Sequence, residues 1–451
     1  MLCLGRRTIT GLLTTSGSQF QDWSASYRLF SQNRLPTPEI FSVIRRAIAE
    51  ELPAGAPFHA VLDDTLVRRA GLHTPGVAWR RDPLGPRFQT NFVRAQRFVQ
   101  ISGVLPAAGE KDGSPGAFRL APIAFLHTPT ATKPGKKATA AQQKQYRLDA
   151  ASTRISLRGA QQVIQLRASL DLDPGGLARP LIVAFDGGYT NSTVLKRLPA
   201  RTTAIGRIRK DAKLHLLPAP AVGKTNGRPR RYGQLAPTPD QLRTDEAHPW
   251  ESLPLFHSGH SHLLRFKRLP QVMWRPAGVG QLFQLVVIAP LAYRLRKGSR
   301  LLYRDPAYLL CTDPALDPRQ VIEAYFQRWD IEVNFREEKT LLGAGQAQVR
   351  HPVSVEAAPA LTVAAYGLLL VSARRAFANS SDGLLPPPKW SAKSPGPRTS
   401  TQQMLHQIRA EVWGRGLGLD TFSDFATQIP SHPNPHKPSF PLASAILYAN
   451  S

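Results

Sequence analysis

Pro180-Leu-Ile-Val-Ala-Phe185 is apolar without interruption and ends abruptly in Asp186-Gly-Gly188. A run of this kind reads as a strand buried on both faces, as at the centre of a sheet covered by helices. A second short apolar run, His59-Ala-Val-Leu62, ends in Asp63-Asp64-Thr65. Two strands are therefore expected to end in carboxylates. Arg97–Val104 and Phe118–Phe125 are strand-like and follow the first as an antiparallel meander. Gln142–Asp171 carries helical periodicity, Asn191 is placed to cap a short helix over Ser192–Leu198, and Thr202–Leu216 alternates as a half-buried strand does. The class this predicts is α/β.

Five stretches follow from changes in texture. Residues 1–57 read as a helical lead-in able to contact DNA, with helical patterns at Arg6–Leu13 and Ile40–Glu51 joined by a Ser/Gln-rich connection. Residues 58–216 hold the first strands. Residues 217–307 are Pro-rich and basic, with strand candidates at Leu263–Trp274 and Leu282–Leu291, and read as an inserted β-rich subdomain. Residues 308–378 resume with a strand at Tyr308–Cys311. Asp317-Pro-Arg-Gln320 then offers a capping carboxylate and a proline at the first helical position, predicting one helix to about Leu342, where Gly343 stops it. Leu361–Ala373 is expected to be a packing helix. Residues 379–451 are a Pro/Ser-rich linker and tail, with an amphipathic helix at Thr401–Trp413.

Fifty-eight Lys and Arg face 31 Asp and Glu, a formal charge of +27. That balance points to a polyanionic partner. Lys196–Arg231 alone holds eleven Lys/Arg and one acid, Asp211, and reads as a track for a DNA backbone. The membrane alternative is disfavoured, because no uninterrupted apolar run reaches the ~18–20 residues of a spanning helix. The N-terminal stretch lacks a signal-peptide pattern. Two cysteines, Cys3 and Cys311, exclude a disulfide framework and a Cys-based zinc cluster and fit a reducing, cytoplasmic setting. His257-Ser-Gly-His260-Ser-His262 is too loosely spaced to predict a metal.

Carboxylates at strand ends let a rigid sheet aim them at one point, a common way to build an oxygen-ligand site for Mg²⁺. The helix from Asp317 offers a third. Tyr325, Arg328, Glu332 and Lys339 are spaced +3, +4 and +7, so a regular helix puts them on one face, with Phe335 and Arg336 on or near it. Glu323, Glu337 and Glu338 point away. Taken alone, Glu332 could be an ordinary surface partner of Arg328 and Arg336. Taken with Asp63 and Asp186, the set suits phosphodiester cleavage, in which carboxylates hold two metal ions and neighbouring cations hold phosphates.

Tyr325-(2)-Arg328-(3)-Glu332-(6)-Lys339 resembles the Y-(2)-R-(3)-E-(6)-K signature of a group of bacterial insertion-sequence transposases of the DDE superfamily. Asp63-Asp64-Thr65 resembles the first-acid motif of that group, Asp186-Gly-Gly-Tyr189 the second, and Arg207-Ile-Arg-Lys-Asp211 the basic strand after it. The resemblance covers roughly residues 58–375. Asp63 and Asp186 are 123 positions apart, and Asp186 and Glu332 are 146 apart, leaving room for a β insertion before the glutamate. The resemblance implies a ribonuclease-H-like mixed sheet flanked by helices, interrupted by an inserted β subdomain, with a short helical lead-in. It implies a catalytic and metal-binding triad of Asp63, Asp186 and Glu332, with Asp64 the competing first acid, holding two Mg²⁺ (or Mn²⁺) ions. Tyr325, Arg328, Lys339, Arg336, Arg207, Arg209 and Lys210 would contact DNA. In some relatives a tryptophan of the insertion holds a flipped base; Trp250 and Trp274 are the candidates here. Implied partners are the terminal inverted repeats, target DNA and a second protomer, and the implied location is the bacterial nucleoid. Two rival readings stand beside it: a structure-specific nuclease of the same fold, which would keep the acids but need neither the Tyr/Arg/Lys stripe nor the β insertion, and an inactive or domesticated DNA-binding copy.

Overall fold

A computed structural model describes residues 1–449 apart from 33, 35–36, 72, 83–84, 87, 107–117, 220–229, 258–259, 297, 378–384, 386–387, 389–398, 415 and 418–439. Three helices lead in: α1 (Ile9–Thr15), α2 (Ser24–Ser31) and α3 (Thr37–Glu50). Then come β1 (Phe58–Arg68), β2 (Ala78–Arg81), β3 (Phe92–Leu105) and β4 (Arg119–His127), followed by α4 (Ala140–Ser152) and α5 (Ile155–Asp171). Next are β5 (Leu181–Phe185), α6 (Ser192–Leu195), β6 (Thr202–Arg207) and α7 (Pro239–Thr244). The strands β7 (Glu251–His257), β8 (His260–Met273) and β9 (Leu282–Ile288) precede a small ribbon, β10 (Ala292–Tyr293) with β11 (Leu302–Tyr303), and then β12 (Ala307–Cys311). The helices α8 (Pro318–Gln327), α9 (Asp330–Thr340), α10 (Pro352–Phe377) and α11 (Thr401–Trp413) follow, and the last described element is α12 (Phe440–Leu447).

Ten strands form one mixed sheet in the order β2-β3-β1-β5-β6-β12-β9-β8-β7, with β4 also paired to β3. The long β3 takes β1 along one edge and β2 then β4 along the other. At the centre, β1, β5 and β6 run parallel. All five residues of β5 are buried. Leu181, Val183 and Phe185 join a cluster with Val163, Leu166 and Leu170 of α5, whereas Ile182 joins Val321, Ile322 and Tyr325 of α8. Layers of helix on both sides are what an unbroken apolar strand requires. The fold is thus the mixed sheet flanked by helices that the resemblance implies. The strands of the 217–307 stretch are continuous with it, since β9, β8 and β7 extend the main sheet outward from β12.

Three local expectations are corrected. β1 does not end at Asp63 but continues to Arg68, because β3 stays paired with it as far as Arg68 opposite Ala95. The expected Gln142–Asp171 helix is two helices, α5 starting afresh after Arg154. The expected Asp317–Leu342 helix is also two. Arg328 N bonds Tyr325 O, Trp329 N bonds Phe326 O, Ile331 N bonds Arg328 O and Glu332 N bonds Trp329 O, each at 3.2 Å. These are i→i−3 bonds, and a 3₁₀ turn of three residues per turn joins α8 to α9.

One described helix, Pro352–Ala376, is long and apolar enough by length and composition to cross a membrane, against the expectation that no apolar stretch reaches that length. Sixty-seven per cent of its most apolar window is buried inside the protein. Val363, Ala364, Leu369 and Leu370 share a core with Ile44 and Ile48 of α3 and Ile123 of β4, and Ala358 packs on Ile9, Leu13 and Phe30 of the lead-in.

Candidate active site

The parallel register of β1 and β5 ends with Leu62 opposite Phe185, so the next residue on each strand is a carboxylate, Asp63 beside Asp186. Adjacent strands lie about 4.8 Å apart, which brings the two acids to one edge of the central pair. Asp63 is held. Its Oδ1 accepts the Asp64 amide at 2.8 Å, and its Oδ2 takes Arg328 Nη1 at 3.4 Å. Burial pushes the Asp63 carboxyl up to about 7; the neighbouring Asp64 and Asp186 charges add to that, while the Asp64 amide and Arg328 oppose it. Asp186 is exposed at the head of the Gly187-Gly188 turn, which closes with Tyr189 N on Asp186 O at 3.0 Å.

Asp64 points to the other face of the strand. Its Oδ1 accepts the Tyr189 hydroxyl at 3.1 Å and its Oδ2 lies 3.3 Å from Arg97 Nε. Tyr189 is buried and sits so close on α5 that a Cβ at Gly159 would fall 2.5 Å from its ring. Asp64 therefore ties the second-acid turn to β1, and Asp63 is the acid on the face that α9 covers. Thr65, on that same face, accepts Lys339 Nζ at 2.6 Å, and Val61 packs on Ile331.

The four residues of the helical stripe have different fates. Tyr325 is 3% exposed, in the core beneath β5, and offers no surface to DNA in this structure. Arg328 is equally buried, stacked 5.5 Å over the Tyr325 ring and 4.9 Å over Trp329, with its charge turned to Asp63. Lys339 is half-buried on Thr65, and Glu332 is exposed, with no ion pair or side-chain hydrogen bond among the described residues. The single face expected from spacing is broken because each residue wound in the 3₁₀ turn advances roughly 20° further than in an α-helix. Among the described residues no three His, Cys, Asp or Glu side chains converge as a metal cluster.

Asp186 also lines a cavity of about 1080 Å³ with Arg207, Arg209, Lys210, Trp274 and Tyr308. Arg209 is exposed and paired with Asp211 at 2.8 Å, and Lys210 is exposed. Trp274 opens onto this cavity, whereas Trp250 carries Lys267 Nζ 4.7 Å over its ring. Arg336 is exposed on α9, 3.9 Å from Glu337. His257 and His260 pair across the β7–β8 turn, whose residues 258–259 lie outside the described ones.

Two oxygen donors side by side, one of them held partly protonated chiefly by burial and further by its acidic neighbours, suit a hard divalent cation, which would offset both and can complete its shell with water and substrate oxygens. A mixed sheet whose central parallel strands bring paired carboxylates to a cavity lined by both cations (Arg207, Arg209, Lys210, Arg243) and acids (Asp211, Asp240, Asp305) is consistent with a ribonuclease-H-like enzyme fold. A family model described as DDE superfamily endonuclease matches residues 1–275, and the chain belongs to that family. It is thereby a nuclease-type enzyme with DNA as substrate. The match spans Asp63, Asp186 and Trp274 and stops before α8 and α9. No curated protein is similar enough to this chain to match it.

Sequence reading missed the support behind α9. Glu338, fully buried, accepts Gln100 Nε2 at 2.9 Å; Gln100 also reaches Ser102, which takes Asn334 Nδ2 at 3.2 Å. The signal available was a polar pair, Gln100 and Ser102, inside the otherwise apolar second half of β3, residues 98–105. Burial pushes the Glu338 carboxyl up to about 8, Glu337 adds to this, and Gln100 and Lys339 oppose it. A carboxyl raised this way keeps its proton in the fold and releases it in the unfolded chain, so its stabilising share is complete below about pH 4.5 and is lost as pH rises to about 8. Glu338→Gln is expected to match wild type near pH 4.5 and to melt roughly 3 °C higher at pH 8. Thermal scans across that range check this; a difference that does not change with pH would refute it.

Proposed function

We propose that the chain is the transposase of an insertion sequence, cutting DNA at the element's ends and joining them to a target. The observation that carries the reading is the register that sets Asp63 beside Asp186 at the exit of the central parallel pair. Asp63 and Asp186 would hold Mg²⁺ or Mn²⁺, with exposed Glu332 as the third ligand. Held by those carboxylates, such ions would supply the positive charge needed to activate a water or 3′-OH and to stabilise a leaving oxygen. Arg328 fixes the Asp63 carboxylate from beneath, and Tyr325 and Trp329 hold Arg328. Lys339 anchors α9 on the strand bearing Asp63, beside the strand acids. Arg207, Arg209, Lys210 and Arg336 present charge to phosphates, and Trp274, on the wall next to Asp186, can stack on an unpaired base. Action at two element ends calls for two protomers on the DNA.

The test is cleavage of a DNA carrying the element's terminal repeats. Wild type should yield 3′-OH ends at the element boundary with Mg²⁺ and none with chelator, and Asp186→Asn should yield none in either. Binding without cutting by wild type would instead favour an inactive DNA-binding copy.

A further inference from the structure

On the sheet face opposite Asp63, a pocket of about 240 Å³ lies between β2, β3, the end of β4 and the start of α5. Three arginines line it: Arg80, Arg97 and Arg154. Among the described residues lining it there is no acidic side chain. Arg80 donates Nε to Ala95 O at 3.3 Å, leaving its buried Nη2 with no hydrogen-bond partner among the described residues. Burial and the facing Arg97 charge bring the Arg80 guanidinium down to about 10, against a weaker pull from Asp64. Thr128, only 2% exposed, lines the same pocket with an Oγ1 that likewise has no partner among the described residues. The 17-residue α5 begins here, its N-cap Arg154 supplying no side-chain cap to the first-turn amides. Like charges, an unused buried hydroxyl and open helix amides all lack the same thing, an anion with several acceptor oxygens.

We propose that this pocket binds a phosphate group of the DNA backbone, away from the site of cleavage. The inference rests on DNA being the substrate. A phosphate seated here would engage Arg97, whose other contact is Asp64, the residue that holds the Tyr189 end of the second-acid turn. The pocket thus places a backbone contact on an arginine paired with Asp64, the neighbour of Asp63, on the reverse of the strand.

Two variants test it. Arg154 is exposed, so Arg154→Glu leaves the core untouched. Thr128→Val keeps volume and charge and removes only the hydroxyl. By fluorescence anisotropy with a labelled duplex over a range of salt, Arg154→Glu should weaken binding roughly tenfold and lower the salt slope by about one. Thr128→Val should weaken binding about twofold to threefold at an unchanged melting temperature, an effect general surface charge does not produce. Wild-type binding that both variants reproduce would overturn the pocket and leave the enzyme reading standing; no binding by wild type would overturn both. Calorimetric titration with inorganic phosphate alone separates the sources. Phosphate binding lost in Arg154→Glu, with DNA affinity unchanged, would make this a free-anion site and overturn the DNA assignment.

Discussion

Asp63→Asn should lower metal-dependent DNA cleavage by roughly a thousandfold or more and, at pH 8, raise the melting temperature by roughly 3–5 °C. The two effects have one origin. Asp63 is held in a largely buried place beside two other carboxylates, and its proton is retained to about pH 7. Ionising it there opposes folding, because the unfolded chain releases that proton near pH 4. Its stabilising share is therefore complete below about pH 4 and is lost as pH rises to about 7. Asn keeps the acceptor for the Asp64 amide and removes the charge, so the stability gain should vanish near pH 4, while the loss of cleavage should persist at every pH. Melting scans at both ends of this range, beside a cleavage assay, check both halves. A destabilised Asp63→Asn protein at pH 8 would show that the Arg328 contact outweighs the burial of the acid.

Glu332→Gln should also lower cleavage by roughly a thousandfold, but with a melting temperature within about 1 °C of wild type at any pH. The carboxylate is exposed and has no ion pair or side-chain hydrogen bond among the described residues, so the fold gains from its charge only the small contribution of a carboxylate in the first turn of α9. A group that contributes little to stability and much to rate acts on substrate or metal. The buried acid on the same helix behaves differently. Glu338→Gln alters the melting profile, because that carboxyl is wholly enclosed by β3 and α9. Full cleavage by Glu332→Gln would remove it from the site.

Elements whose cause is local could be read from sequence. The strand Leu181–Phe185 is announced by its composition, Asn191 caps its helix, and α11 starts and ends where Ser400 and Gly414 put it, with Gln403 completing the capping box. Asp186 stands out in the sequence because turn and strand chemistry meet there, whereas Asp63 lies within β1 and only its pattern of an apolar run before acids marked it. What failed depends on partners distant in the chain. The length of β1 is set by β3, about thirty residues onward. The lead-in helix α2 buries Phe30 alone, against α10, too little to mark a stripe. The tightened turn at Arg328 follows from packing that its neighbours do not encode, so spacing predicted one face where the structure has three environments. The Asp64–Tyr189–Arg97 set joins three strands or turns and has no signature in any one of them.

The order of strands in the sheet bears on how such a chain becomes dangerous to DNA during its synthesis. β1 must wait for β5, whose residues emerge 123 positions later, before the acids meet. β6 in turn waits for β12, threaded between it and β9. Until α8 follows, one side of the wholly apolar β5 has no cover. A nascent or truncated chain is thus both catalytically silent and prone to aggregate, since long-range pairing comes late and exposes apolar strand edges meanwhile. Ribosome-bound fragments ending before residue 318 should be held by chaperones and cut nothing, and cutting activity should appear only once the covering helices have emerged.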